Sequence, residues 1–135
     1  LHATEGLTEA ELGELLEQKD EYIRSWAIQL LAEKKEVSTS ILKKFESLAK
    51  NDSSSLVRLY LTSAMMRLDL EKRWGVLEAL SVRAEDAEDH NIPLMLWYAI
   101  EPLAEINPKR ALALSVRSKI PNLLPYMIRR TAEIN

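Results

Sequence analysis

The chain has 135 residues, 47% hydrophobic and 29% charged, with a formal net charge of −3; that length fits one domain burying about two thirds of its unfolded surface, and the charge gives no overall pull toward nucleic acid or anionic lipid. The absence of cysteine excludes disulfides, thiolate nucleophiles, cysteine-ligated zinc and a CxxCH haem attachment within this stretch, and leaves the compartment open. No apolar run approaches the roughly 18 to 20 residues of a membrane span, and LHATEGLTEA lacks the basic head and apolar body of a signal peptide; a first residue other than Met and the ending RRTAEIN suggest a piece of a longer protein.

Three glycines, none in an NG or DG turn, give strands little support. Thr8 and Glu11 form a capping box that opens a short helix through Leu12, Leu15 and Leu16, stopping near Lys19. A second helix, about Asp20 to Glu33, is expected to bury Tyr22, Ile23, Trp26, Ala27, Leu30 and Leu31 and to end at Lys34, Lys35 and Glu36. Ser38 caps a third, with Ile41, Leu42, Phe45, Leu48 and Ala49 inward, before the NDSSS turn. Ser54 or Ser55 opens a fourth carrying Leu56, Val57, Tyr60, Leu61, Ala64, Met65 and Leu68. Asp69 caps a fifth, about Leu70 to Arg83, facing inward through Leu70, Trp74, Leu77 and Ser81. Asn91 and Pro93 start a sixth, which Pro102 kinks or ends. Asn107 and Pro108 start a seventh through Ala111, Leu112, Leu114 and Val116, stopped by Pro121. Asn122 caps the eighth, with Leu123, Leu124, Met127, Ile128 and Ala132 as its apolar side.

Sliding the sequence against itself aligns EYIRSWAIQLL from Glu21, SLVRLYLTSAM from Ser55, NIPLMLWYAIE from Asn91 and NLLPYMIRRTA from Asn122, at steps of 34, 36 and 31 residues. A two-helix repeat of that length is the signature of an α-solenoid, in which stacked units share a continuous core. The expected fold is therefore all-α, a single solenoid of about four helix pairs, with repeats near residues 7–35, 38–68, 70–105 and 107–135.

Ile23-Arg24 and Val57-Arg58, each at the head of a second helix, resemble the Val-Arg position of HEAT repeats. The later repeats place Leu94 and Pro125 there, so a ladder of arginine to acid bonds is expected only in the first half. A narrower resemblance lies in LVRLYLTSAMMRLDLEKRWGVLEAL and AEDAEDHNIPLMLWYAIEPL. Both are similar to the helical-repeat segment of large exported bacterial proteins that join a sugar-dehydrogenase-like β-propeller, a HEAT-like middle and a haem-binding CxxCH module. That resemblance implies a spacer or docking domain within a membrane-associated dehydrogenase, exported or periplasmic, and carries no catalytic residue onto this chain.

Glu85, Asp86, Glu88, Asp89 and His90 invite a metal reading. The stretch has no glycine to wrap a hard cation and fits neither DxDxDG nor HExxH, while the other histidine, His2, sits at the terminus. Acids just ahead of a helix favour its positive end, and His90 is expected to orient the turn by bonding a nearby carbonyl or acid. Glu101, behind Trp97 and Tyr98, is the carboxylate most open to burial, but lacks a second catalytic group and reads as structural. Trp26, Tyr60, Trp97 and Tyr126 could stack bases but read as core, which predicts about 3 to 5 kcal/mol for Trp26→Ala. Acids dominate from Glu5 to Glu36, and bases gather at Lys109, Arg110, Arg117, Lys119, Arg129 and Arg130, a polarity suited to head-to-tail contact.

The sequence thus reads as a non-catalytic scaffold that binds protein, either flanking domains of its own chain or another protein. It assigns no cofactor or metal ligand, and expects no nucleic acid partner and no membrane insertion. Its candidate contacts are Arg24, Arg58 and Glu101, expected as exposed polar positions of the second helices, the acidic loop with Asp86, Asp89 and His90, and the basic Arg129 and Arg130. The rival reading is a HEAT-like enzyme of the DNA glycosylase type working through the basic stripe and an aromatic cleft.

Overall fold

The computed structural model describes residues 6–34 and 36–134; the expectations for His2 and for Lys35 lie outside them. The described residues form nine α-helices and no strand: α1 (Glu9–Leu15), α2 (Glu21–Glu33), α3 (Thr39–Asn51), α4 (Ser55–Met65), α5 (Trp74–Ser81), α6 (Ile92–Ile100), α7 (Leu103–Ile106), α8 (Pro108–Arg117) and α9 (Leu123–Ile134). One-turn 3-10 segments at Leu70–Lys72 and Ala84–Asp86 precede α5 and α6. The chain is all-α, as the missing turn glycines and the helical apolar spacing require.

Local chemistry sets most boundaries. The capping box is complete, with the Glu11 amide donating to Thr8 Oγ1 at 3.1 Å and the Thr8 amide to Glu11 Oε1 at 2.9 Å. Asp20, Ser38, Ser54 and Asn107 cap α2, α3, α4 and α8 through their side chains. Three expected caps differ. The Asp69 side chain makes no cap hydrogen bond, and Arg73, not Asp69, precedes α5. The Asn91 side chain caps nothing; Asp89 Oδ2 accepts from the amides of Asn91 and Ile92 at 2.8 and 2.9 Å. Asn122 turns its Nδ2 to the Pro93 carbonyl, 3.3 Å away, leaving its buried Oδ1 without a hydrogen bond. Pro102 ends α6 and lets the chain resume as α7. The fifth helix is shorter than expected, because the 3-10 turn and Arg73 occupy its predicted start.

Helices pack in pairs, α1 with α2, α3 with α4, α5 with α6, and α8 with α9. Across pairs, α2 packs on α4, α4 on α6 and α6 on α9, while α3 packs on α5 and α5 on α8. One apolar cluster runs through these joints and includes Leu12, Ile28, Phe45, Leu61, Leu77, Leu96, Leu114 and Met127. Each large side chain so buried stabilises the fold by about 1.5–3 kcal/mol before entropy is counted.

Burial corrects the register of the repeat. Val57, Leu61, Ala64, Met65 and Leu68 correspond in burial to Ile92, Leu96, Ala99, Ile100 and Leu103, a step of 35 residues rather than 36. Pro93 and Leu124 therefore stand at the arginine position, rather than Leu94 and Pro125. The aromatic column becomes Trp26, Tyr60, Met95 and Tyr126. A second correction concerns α2, whose buried side is Ser25, Ala27, Ile28, Leu31 and Ala32. Tyr22, Ile23 and Trp26 are exposed, Trp26 by 41%. The apolar stripe of α2 is wider than one face, and spacing alone does not say which edge of such a stripe finds a neighbour.

Candidate functional site

Arg24 stands near the start of α2. Its Nε and Nη2 donate to Asp52 Oδ2 and Oδ1 at 2.8 and 3.0 Å, and its Nη1 to the carbonyls of Gln18 and Lys19 at 2.9 and 2.7 Å. Arg58 repeats the arrangement on α4. Its Nε and Nη2 donate to Asp86 Oδ2 and Oδ1 at 2.6 and 2.8 Å, and its Nη1 to the Asp52 carbonyl at 2.8 Å. Each guanidinium thus grips the carboxylate of the next loop with one edge and the loop of its own hairpin with the other. Both pairs span 28 residues. The hydrogen bonds that Arg58 donates to Asp86 raise the Arg58 pKa against the opposing effect of burial.

Arg58 and Asp86 are 3% and 1% exposed, and the Arg24 side chain is largely covered. These three residues are therefore corrected from surface contacts to internal clamps. Burial follows from geometry: an arginine one turn into a second helix lies beside the following loop, not over the outer face. The ladder stops after two rungs because Pro93 offers no guanidinium. Other ties carry the later joints. Arg130 pairs with Glu101 and reaches Glu105 Oε1 at 2.6 Å. Arg110 reaches Glu78 Oε2 and Oε1 at 2.9 and 2.8 Å and lies 4.6 Å over the Trp74 ring. Trp97 meets Tyr126 edge to face at 5.3 Å.

The remaining candidates separate. Asp89 is half-buried at the start of α6, where the amides of Ile92 and Asn91 hold its carboxyl below the usual carboxylate range. His90 is exposed, and its ring makes no hydrogen bond to the described residues. Glu101 is half-buried in its ion pair, and Arg129 is exposed beside Trp97 and Tyr126 in a shallow depression of about 260 Å³. Among the described residues no three of His, Asp and Glu converge as metal ligands. Three of the six residues of the basic stripe, Arg110, Arg117 and Arg130, are engaged by carboxylates, Arg117 at 4.0 Å from Glu78.

Sequence reasoning missed two features. Arg73 is buried with no carboxylate partner among the described residues and donates instead to the carbonyls of Leu68, Ala99 and Met66, joining the end of α4 to α6; burial lowers its pKa. The second is a groove of about 360 Å³ crossing α2, α4 and the start of α6. Leu59, Tyr60, Ala64 and Met95 supply its apolar surface, and Gln29, Ser63, Arg67 and Asn91 its polar groups. Arg67 is exposed and has no ion-pair partner among the described residues. The aromatic column, read at the corrected step, was the available signal, since Tyr60 and Met95 both line the groove.

The groove offers two amides, a hydroxyl and a phenol in reach of an extended backbone, with one cation at its edge, and no carboxylate, imidazole or thiol. Comparison of the chain with protein-family models, with curated proteins and with solved structures gives no match.

Proposed function

We propose that this chain is a HEAT-like α-solenoid that acts as a non-catalytic protein-binding scaffold, taking an extended polypeptide segment in the groove across its second helices. The observation that carries the reading is the composition of that groove: apolar floor, amide and hydroxyl donors and acceptors, and Arg67 as a cation free for an acidic side chain. The paired helices and the Arg24–Asp52 and Arg58–Asp86 clamps support the solenoid part, because they repeat one joint at one spacing and hold neighbouring hairpins at a set angle. A rigid concave surface lowers the ordering cost of binding a flexible segment. In the dehydrogenase setting that the sequence resembles, the module would position neighbouring domains, with redox chemistry outside it.

Peptide-display selection tests the groove. Recovered sequences are expected to share an Asp or Glu flanked by apolar residues and to lose about tenfold or more in affinity on Arg67→Glu and on Tyr60→Ala. Peptides that bind both variants as tightly as the parent would refute the groove assignment. A labelled DNA duplex serves as the counter-test: tight binding that falls steeply with salt would favour the glycosylase-type reading instead.

A further inference from the structure

Neighbouring second helices meet through matched flanks. The flank of α4 and α6 formed by Val57 and Ala64, and by Ile92 and Ala99, is buried. At the same positions α2 carries Ile23, which is exposed, and Leu30, which is half-buried. The opposite flank holds Ile28 on α2 and Thr62 on α4, both buried, and Trp97 on α6, half-buried against Tyr126. On α9 the same position is Ile128, which is 54% exposed. Beside it in the other row, α8 exposes Val116 by 62% next to the half-buried Leu112 and Ala113, in a shallow depression of about 400 Å³ bordered by Lys109 and Arg117. Among the described residues the stack therefore ends in two uncovered apolar flanks, and they are the two halves of the joint it uses internally.

Charge distinguishes the ends. From residue 8 to 36 there are eight acids and four bases, and from 107 to 134 six bases and one acid. Glu11, Glu14 and Glu17 on and after α1 are exposed, as are Lys109, Arg117 and Arg129 at the other end. Apolar flanks of this kind in a repeat protein call for a cap or a neighbour. Opposite charge selects which surface arrives and speeds its arrival.

We propose that the neighbour is a second copy of this chain, the α8–α9 end of one copy receiving the α1–α2 end of the next. Such a contact joins two different surfaces, so it does not close at two copies and continues to a ring of more copies or an open chain. It is independent of the groove and rests on the solenoid part of the proposed function alone.

Sedimentation equilibrium over a concentration series tests it, at low salt (about 20 mM) and at high salt (about 0.5 M). The mass should rise beyond a dimer at low salt and fall back toward monomer at high salt. Ile23→Lys and Ile128→Glu each place a charge on an exposed flank and leave the core intact, checked by unchanged thermal melting. Each variant alone should stay monomeric, and an equimolar mixture should rise to a heterodimer and no further, because each variant retains the one end the other lacks. Arg67→Glu, in the groove, should assemble like the parent. A chain that is monomeric throughout the series, or variants whose mixture does not regain mass, would overturn the proposal.

Discussion

Asp86→Ala removes the carboxylate that occupies the Nε–Nη2 edge of the Arg58 guanidinium and leaves that charge buried with only the Asp52 carbonyl as partner. Breaking a buried pair from one side costs about 3 to 5 kcal/mol. For a chain of this size that is a large share of the roughly 5–15 kcal/mol of a typical domain, and it lowers Tm by about 9 to 25 °C at about 3 to 5 °C per kcal/mol. Arg58→Met combined with Asp86→Leu has a different outcome. Both charges are gone, apolar side chains of similar volume fill the joint, and the Asp52 carbonyl keeps the Arg83 Nη2 donor at 2.7 Å. The double variant should lie within about 1 kcal/mol of the parent. Urea unfolding of the parent, both single variants and the double variant gives the full cycle. An Asp86→Ala loss under about 0.5 kcal/mol, the size of an ordinary surface change, would refute the buried clamp.

Asp89→Ala deletes the acceptor for the first amides of α6 and should cost about 0.5–2 kcal/mol at neutral pH. The folded state depresses the Asp89 pKa, so its contribution is present above the unfolded value of about 3.9 and is lost as pH falls through the folded value; urea midpoints of parent and variant should converge only in that acid range. A constant gap down to pH 2 would contradict the assignment. Trp26→Ala should cost under about 1 kcal/mol and Leu61→Ala about 2–5 kcal/mol, because Trp26 lies outside the core and Leu61 is enclosed; a reversed order in thermal melts would show that α2 is turned the other way.

Fold class and helix positions were legible because caps and prolines act locally. Thr8, Ser38, Ser54, Asn107 and Pro108 each need only a few neighbouring residues to act, and each stands where its chemistry places it. The first-half arginine ladder was legible in part. The sequence pointed to Arg24 and Arg58 but not to Asp52 and Asp86, since their distance in space depends on how one hairpin seats on the next. Asn91 and Asn122 misled because a side-chain cap competes with other acceptors and donors, and Asp89 and the Pro93 carbonyl offered better partners. Trp26 misled for a broader reason. At the end of a stack an apolar residue that would be covered inside it stays open, and periodicity carries no information about ends. The groove stayed hidden because its residues come from three helices and become a column only at the corrected step.

The central claim is that the hairpins share one core across their joints. Native-state hydrogen exchange measured by mass spectrometry tests it most directly. Peptides from α4, enclosed between α2 and α6, should exchange only through global unfolding, whereas α1 and α9 at the two ends should open at lower free energy. Exchange in α4 as rapid as in α1 or α9 would contradict a core that continues from one hairpin to the next.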